Sequence, residues 1–126
     1  MSLLWDPWGD FGRSRERGFY PRLDIQENEN QFILHLEIPG INEKDVKLSL
    51  RGGVLDIAGE KPLSANEDKL KYLHRERELG KFARRIQLPA GVDVKHISAS
   101  TTNGVLKIVV QKPEKERNIE VPIARL

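Results

Sequence analysis

Hydrophobic and polar residues alternate with a period of two through the middle of the chain. In the run 31–38, the apolar side chains of Phe32, Leu34, Leu36 and Ile38 share one face, and polar residues occupy most of the other. The same alternation returns in five shorter runs, at 46–50, 55–57, 86–88, 97–99 and 106–110. Such a pattern is typical of β-strands that bury one face. The chain is therefore predicted to be mainly β.

Turn signals separate these runs. Gly52-Gly53 and Asn103-Gly104 lie between alternating segments, and type I′ hairpin turns need positive φ at both central residues. The segment 42–45, Asn-Glu-Lys-Asp, is predicted to form one capped helical turn. About seven short strands at this spacing favour an antiparallel β-sandwich.

The segment 66–80 does not fit this sandwich. It starts with an N-cap candidate, continues with acidic residues and good helix formers, and ends in Gly80, so local propensity favours a surface helix. As a strand it has almost no apolar face, because charged residues dominate both sides. Two interpretations follow: a surface helix, or a strand that pairs outside its own sandwich.

The two ends of the chain differ in residue composition from the alternating middle. Five of the eight aromatic residues lie in the first twenty positions, where Pro, Gly and Arg interrupt them, so no ordinary strand or helix is predicted there. The charged segment 112–118 is expected to be a solvated tether. After it, Ile119, Val121 and Ile123 share one strand face, and Pro122 bars this segment from a central strand but not from an edge.

Composition narrows the possible partners and location. The 126 residues suffice for one domain, and a net charge of +2 provides no field that would attract nucleic acid. Apolar runs are too short to span a membrane. An interfacial anchor in the aromatic segment is disfavoured, because that segment is short and carries Asp6, Asp10 and Glu16. The start of the chain lacks the features of a signal peptide, so a cytoplasmic protein is expected.

Catalytic and metal-binding motifs are not found in the sequence. There is no cysteine, which excludes disulfides, thiol catalysis and thiolate metal sites. Gly52-Gly53 has no following Lys, so it does not form a phosphate-binding loop. His35, His74 and His96 are isolated from one another and are interpreted as surface histidines. We therefore expect neither an enzyme nor a cofactor.

Arg84 is the one charge in an unusual position. A period of two places it on the same face as Phe82, Ile86 and Leu88. One interpretation is a strand-end arginine whose guanidinium snorkels to water. The other is an arginine held at a subunit contact by carboxylates of a partner chain. The position of Arg84 in the alternating pattern does not distinguish between these two interpretations.

Six segments then point to a known family. They are PRLDIQE at 21–27, LEIPG at 36–40, VLDIAGE at 54–60, GKFARRIQLP at 80–89, ASTTNGVL at 99–106 and IEV at 119–121. In this order they resemble the small heat-shock proteins, whose shared unit is the alpha-crystallin domain. The resemblance runs from about residue 20 to residue 123, and Asp6-Pro7 near the start is similar to bacterial and plant-type members.

The resemblance implies an all-β fold and a chaperone function. The fold is an immunoglobulin-like antiparallel β-sandwich at 20–111, with a flexible N-terminal arm at 1–19 and a C-terminal extension at 112–126. The implied activity is ATP-independent binding of unfolding proteins, by a protein that assembles with itself into dimers and then larger oligomers. The arm is short for the family, which argues against a large, tightly packed oligomer.

The resemblance also implies which residues make contacts between subunits and with client proteins. The stretch matching 72–78 is a strand exchanged into the partner's sandwich in bacterial and plant-type relatives, so the helix interpretation is set aside. The implied dimer contacts are Tyr72, His74, Glu76, Glu78 and Arg84. The implied docking motif of the extension is Ile119 and Val121, with Val121 and Ile123 as an overlapping second register. The implied docking groove is lined by Val46, Leu48, Leu50, Ile97 and Ala99. The residues expected to contact clients or pack the oligomer are Leu3, Leu4, Trp5, Trp8 and Phe11.

A second function remains open at this point. A β-sandwich binding module or co-chaperone of the related CS-domain type would dock a folded partner through one sheet. Such a module would not need a tethered Ile119-x-Val121 motif, and it would be a monomer. The oligomeric state therefore discriminates between the two functions.

Overall fold

The computed structural model describes residues 4–5, 19–61, 70–113 and 121–125. Eight strands and two short 3-10 turns make up its regular structure. The strands are β1 (Leu4–Trp5), β2 (Leu23–Glu27), β3 (Gln31–Glu37), β4 (Val46–Arg51), β5 (Val54–Lys61), β6 (Gly80–Gln87), β7 (Ile97–Thr102) and β8 (Val105–Gln111). The first 3-10 turn is Glu43–Asp45 and the second is Val94–His96.

The strands form two four-stranded antiparallel sheets. The first has the order β1-β6-β5-β4 and the second the order β2-β3-β8-β7. Within the described residues, β4 is therefore an outer strand of the first sheet, and β2 and β7 are the outer strands of the second. The predicted antiparallel β-sandwich is confirmed.

The core lies between the sheets and follows the alternation seen in the sequence. Alternate residues of β3 are fully buried, and those of β8 face them from the neighbouring strand, with Leu34 opposite Ile108 and Leu36 opposite Leu106. The buried hydrophobic residues are Phe32, Leu34, Leu36, Ile38, Leu55, Ile57, Phe82, Ile86, Leu88, Leu106, Ile108 and Val110. Each fully buried side chain of this kind contributes about 1.5–3 kcal/mol of transfer free energy.

The predicted turns are present. Gly52 and Gly53 (φ +57° and +80°) join β4 to β5, and Asn103 and Gly104 (φ +52° and +79°) join β7 to β8. Asn42 caps the first 3-10 turn, where its side chain accepts a hydrogen bond from the backbone N–H of Lys44 at 3.0 Å. Because these turns depend on local φ requirements and local capping, the sequence motifs located them correctly.

The segment 70–79 has neither helix nor strand within this single chain. The helix favoured by local propensity is thus not formed over these residues, which agrees with setting that interpretation aside. Residues 66–69 lie outside the described residues. Exchange of the segment into a second chain is not tested by a single chain and stays a prediction.

Candidate interaction surfaces

Two outer strands from different sheets carry apolar residues that are only partly covered. Val46, Leu48 and Leu50 of β4 pack against the core but stay half-buried, and Ile97 of β7 does the same. Ala99 of β7 is exposed. The residues expected to line a docking groove thus occur on β4 and β7, and all five keep accessible surface.

Contacts at both ends of β7 hold these two strands in place. Near the end of β7, the Thr101 hydroxyl donates to Glu43 Oε2 at 3.4 Å, which joins β7 to the turn that leads into β4. Before β7, the Asp93 carboxylate accepts from the Lys95 N–H at 3.0 Å, and His96 Nδ1 accepts from the Asp93 N–H at 3.0 Å. This capping box fixes the point at which β7 begins.

Two apolar residues in the described part of the C-terminal extension are exposed. Val121 is 77% exposed and Ile123 is 95% exposed, so both β-branched side chains are largely open to solvent in the part of the chain that the structure describes. Ile119, the third residue of the docking motif, lies outside the described residues.

Four of the five residues expected at a dimer contact are exposed in the single chain. Tyr72, His74, Glu76 and Glu78 all lie at the surface of the segment 70–79. The His74 imidazole and the Glu76 carboxylate contact each other. Leu70 and Leu73 of the same segment are 70% and 93% exposed.

Arg84 is buried, so the interpretation that its guanidinium snorkels to water is wrong. The residue is 6% exposed. Its Nη1 donates to the backbone carbonyl of Pro21 at 2.9 Å, and its guanidinium lies 4.6 Å from the centre of the Tyr20 ring. Its Nε is buried and has no hydrogen-bond partner among the described residues. The structure does not bring Arg84 and the acidic residues Glu76 and Glu78 together within one chain.

The sequence did not reveal the cluster in which Arg84 lies. Residues 19–21, which we call the arm root, join the N-terminal arm to the sandwich. The Phe19 ring packs edge-on against Phe82 with centroids 5.9 Å apart, and the Lys61 ammonium lies 4.7 Å from the Phe19 ring. Pro21 is fully buried. The arm root is thus held by side chains of β5 and β6, the two strands that flank the segment 70–79.

The extension is held at its first residue, which the interpretation of 112–118 as a solvated tether missed. The Lys112 side chain is 11% exposed, and its Nζ lies 2.7 Å from Glu27 Oε2 on β2. The Lys112 N–H donates to the carbonyl of Asn30 at 2.8 Å, and the ammonium lies 5.0 Å from the Phe32 ring. The extension therefore leaves the sandwich beside the outer strand β2.

Apart from Phe19, the N-terminal arm is described at two positions only. The backbone of Leu4–Trp5 forms β1 and pairs with β6, where Leu4 lies opposite Gln87 and Trp5 opposite Ile86. The expectation that the arm contains no ordinary strand is corrected to this extent. Leu3, Trp8 and Phe11 lie outside the described residues.

The described ranges contain neither a candidate metal site nor a membrane-spanning helix. No group of three or more His, Asp or Glu side chains there is arranged to hold a metal ion. Nor do these residues include a helix with the length and apolarity needed to cross a bilayer.

Comparison with known proteins identifies relatives over nearly the whole chain. The model of the Hsp20/alpha crystallin family matches residues 24–124. Small heat shock protein C2 of Rickettsia felis is 39% identical over 113 residues, which cover 88% of this chain and 73% of that protein. The 17.6 kDa class II heat shock protein of Arabidopsis thaliana is 36% identical over 108 residues, covering 80% of this chain and 70% of that protein.

The fold is similar to solved structures as well. A small heat-shock protein from Xylella fastidiosa, described as having a distinct high order structure, superposes with a TM-score of 0.67. It is 34% identical, and the match covers 86% of this chain and 95% of that one. Sequence and structure thus agree on the same group of relatives.

Proposed function

Because this chain belongs to the Hsp20/alpha crystallin family, we propose that it is an ATP-independent chaperone that binds unfolding proteins and suppresses their aggregation under heat or other stress. The observation that supports this most is the combination of uncovered outer strands with an exposed apolar tail. A co-chaperone of the CS-domain type is less favoured, because it has no use for Val121 and Ile123 at 77% and 95% exposure on a tether.

The physical basis is competition for apolar surface. An unfolding protein exposes apolar groups that drive aggregation. A protein that binds this state preferentially withdraws it from aggregation by mass action, with no need of nucleotide or of a catalytic group. We propose that the apolar residues of the arm make these contacts; they are Leu3, Leu4, Trp5, Trp8 and Phe11. No catalysis is needed for such a role, so we also propose that the protein is not an enzyme.

We propose that two chains form a dimer by exchanging the segment 70–79. This segment has no strand partner within the described residues and exposes Leu70 and Leu73. Among the described residues, the outer strand β2 has no strand partner along one edge, and such edges are templates for strand addition. Arg84 would then pair with a carboxylate of the exchanged segment, from Glu76 or Glu78 of the partner subunit.

We propose that the extension links dimers into larger assemblies. The family self-assembles into oligomers, and here Ile119 and Val121 would dock in the groove between β4 and β7 of a neighbouring subunit. Burial of two such side chains contributes roughly 3–6 kcal/mol before the cost of ordering the tether is subtracted. Each contact is therefore weak, and several together hold an assembly that exchanges subunits. The register that pairs Val121 with Ile123 is the alternative.

The division of the chain follows from this proposal. Residues 1–19 form the arm, 20–111 the alpha-crystallin domain and 112–126 the extension. The described strands β2 to β8 span residues 23–111, which supports the domain limits. We propose the cytoplasm as the place of action.

Light scattering during heating tests the chaperone function. An aggregation-prone enzyme is heated alone, with an equimolar amount of this chain, and with an equal mass of an inert protein, all without ATP. We expect this chain to reduce scattering by more than half and added ATP to change nothing. Scattering equal to that of the inert-protein sample would contradict the proposal.

A further inference from the structure

The C-terminal extension begins close to the docking groove of its own chain. In the second sheet, β8 lies between β3 and β7. The groove residue Ile97 of β7 is opposite Val110 of β8, just before the extension begins. Neighbouring strands are about 4.8 Å apart, and the residues 114–118 span up to about 17 Å when extended. The Ile97 end of its own groove is therefore within reach of the extension on length alone.

Docking in its own groove would compete with assembly. A segment joined to its site by a short flexible linker has an effective concentration in the millimolar range, whereas neighbouring subunits in dilute solution are present at micromolar concentration. An extension that pivots freely would then fill the groove of its own chain and would not link dimers. Docking on a neighbour therefore requires a feature that turns the extension away from β7.

The backbone at the start of the extension follows β3. The Lys112 N–H donates to the carbonyl of Asn30 at 2.8 Å. The turn that presents this carbonyl is fixed by Asn28, whose side-chain oxygen accepts from the N–H groups of Asn30 and Gln31 at 2.9 and 2.8 Å. Pro113 is buried, and a residue before proline is biased toward extended backbone, which disfavours a reversal of the chain at this point.

The side chain of Lys112 points in the same direction. Its Nζ passes 5.0 Å from the centre of the Phe32 ring on β3 and reaches Glu27 Oε2 on β2 at 2.7 Å. The Lys112 side chain is 11% exposed and that of Glu27 is 45% exposed, so the pair is screened by salt less than a fully exposed one. Because β2 and β7 are opposite edges of the sheet, the pair holds the start of the extension on the side away from its own groove.

We propose that the Lys112–Glu27 pair directs the extension away from the groove of its own chain and thereby selects the groove of a neighbouring subunit. This inference rests on the proposed docking of the extension and names two positioning residues for it. Neither residue contacts the docked motif; both act by fixing the direction in which the extension leaves the sandwich. When the pair is broken, extensions dock in their own chains and fewer of them link dimers.

Cross-linking of the full chain distinguishes the two destinations of the extension. The chain has no cysteine, so Ser98→Cys on β7 and Glu120→Cys in the extension introduce one reactive site each. A short flexible bis-maleimide joins the two sites, and a denaturing gel separates monomers linked within one chain from dimers linked between chains. Mass spectrometry of each band counts only the peptides that join position 98 to position 120. We expect links between chains to predominate in this background.

Reversing one charge of the pair should change the destination. In the same background, Glu27→Lys is expected to raise the ratio of links within a chain to links between chains about fivefold, which corresponds to about 1 kcal/mol. The mean assembly size in sedimentation should fall with it. Combining Glu27→Lys with Lys112→Glu restores an ion pair of opposite polarity and should recover most of the original ratio. The matched control is Glu29→Lys, the same charge change at an exposed position of the β2–β3 turn, which should leave the ratio unchanged.

A second variant and the docking variant separate the inference from its premise. Lys112→Met keeps an apolar stem near Phe32 and removes the charge, so it should shift the ratio in the same direction; it decides alone should Glu27→Lys fail to fold by circular dichroism or fail to dimerise. Unchanged ratios in the variants that break the pair, or a starting background linked mainly within single chains, overturn the role of the pair and leave docking intact. If no links join positions 98 and 120, and replacing Ile119 and Val121 with Ala leaves the assembly size unchanged, docking itself is overturned as well.

Discussion

Gly59 provides the sharpest prediction about packing within the first sheet. It lies in β5 between Val46 of β4 and Phe82 of β6. A Cβ added at this position would be 2.6 Å from the backbone oxygen of Asp45 and 2.7 Å from Cζ of Phe82. The glycine is therefore required by close packing and not by a left-handed backbone.

The cost of Gly59→Ala follows from what surrounds the new methyl group. The Asp45 oxygen belongs to the backbone of the turn that leads into β4, and Phe82 is only 4% exposed, so neither neighbour moves freely. Overpacking of this kind costs about 1–3 kcal/mol, and we expect the upper half of that range. For a domain of this size such a loss lowers the melting temperature by about 10–20 °C.

Thermal unfolding followed by circular dichroism measures this loss. Gly52→Ala is the control. Its Cβ would contact nothing within 4 Å, but the alanine would have to adopt a backbone φ of +57°. This variant therefore measures backbone strain of about 1–2 kcal/mol without steric overlap. In the double variant Gly59→Ala with Phe82→Leu, the losses should be less than additive, because the smaller side chain makes room. A difference of 2 °C in melting temperature corresponds to roughly half a kcal/mol of unfolding free energy. A Gly59→Ala chain that melts within about 2 °C of the wild type would therefore refute this explanation of the packing.

Three further predictions concern subunit assembly and the suppression of client aggregation. Replacing Ile119 and Val121 with Ala should reduce the oligomer to dimers by sedimentation while the sandwich stays folded; elution at the wild-type size would show that the tail is not the linker. Deleting residues 1–17 should leave the circular dichroism of the sheet intact and lower aggregation suppression; a truncated chain that does not fold would contradict the separation of arm and core. Arg84→Gly should weaken the dimer by about 3–5 kcal/mol, because it removes one partner of a buried charge; an unchanged dimerisation constant in analytical ultracentrifugation would count against the pairing.

The alternation of apolar residues was sufficient to predict the central strands and hairpins. Phe32, Leu34 and Leu36 are fully buried because β3 has a neighbouring strand on each side and packs on the opposite sheet. The same alternation in β4 does not give the same burial, since Val46 and Leu48 are only half-buried. Position at the edge of a sheet is a property of topology, which the pattern within one strand does not contain.

The contact partners of Arg84 and Lys112 could not be predicted from the sequence for a different reason. Arg84 bonds the carbonyl of Pro21, a residue 63 positions away, and Lys112 pairs with Glu27, a residue 85 positions away. A backbone carbonyl has no sequence signature, and a lysine in a charged segment has the composition of a solvated tether. Only the folded arrangement of β2, β6 and β8 brings these groups together.

The structure of the segment 70–79 could not be predicted from the sequence for a third reason. Its local propensity favours a helix, yet the single chain gives it no regular structure. If its strand partner is β2 of a second chain, the free energy that orders it comes from association. Neither local propensity nor the contacts of one chain then contain that contribution.

Sedimentation of a heated mixture tests the proposed chaperone function most directly. A fluorescently labelled enzyme is heated with this chain in the absence of ATP, cooled, and sedimented while the label is followed. The account predicts that the labelled enzyme stays in solution in complexes larger than either protein alone and that this chain is present in the same complexes. Labelled enzyme in the pellet, with this chain sedimenting at its own unheated rate, would contradict it.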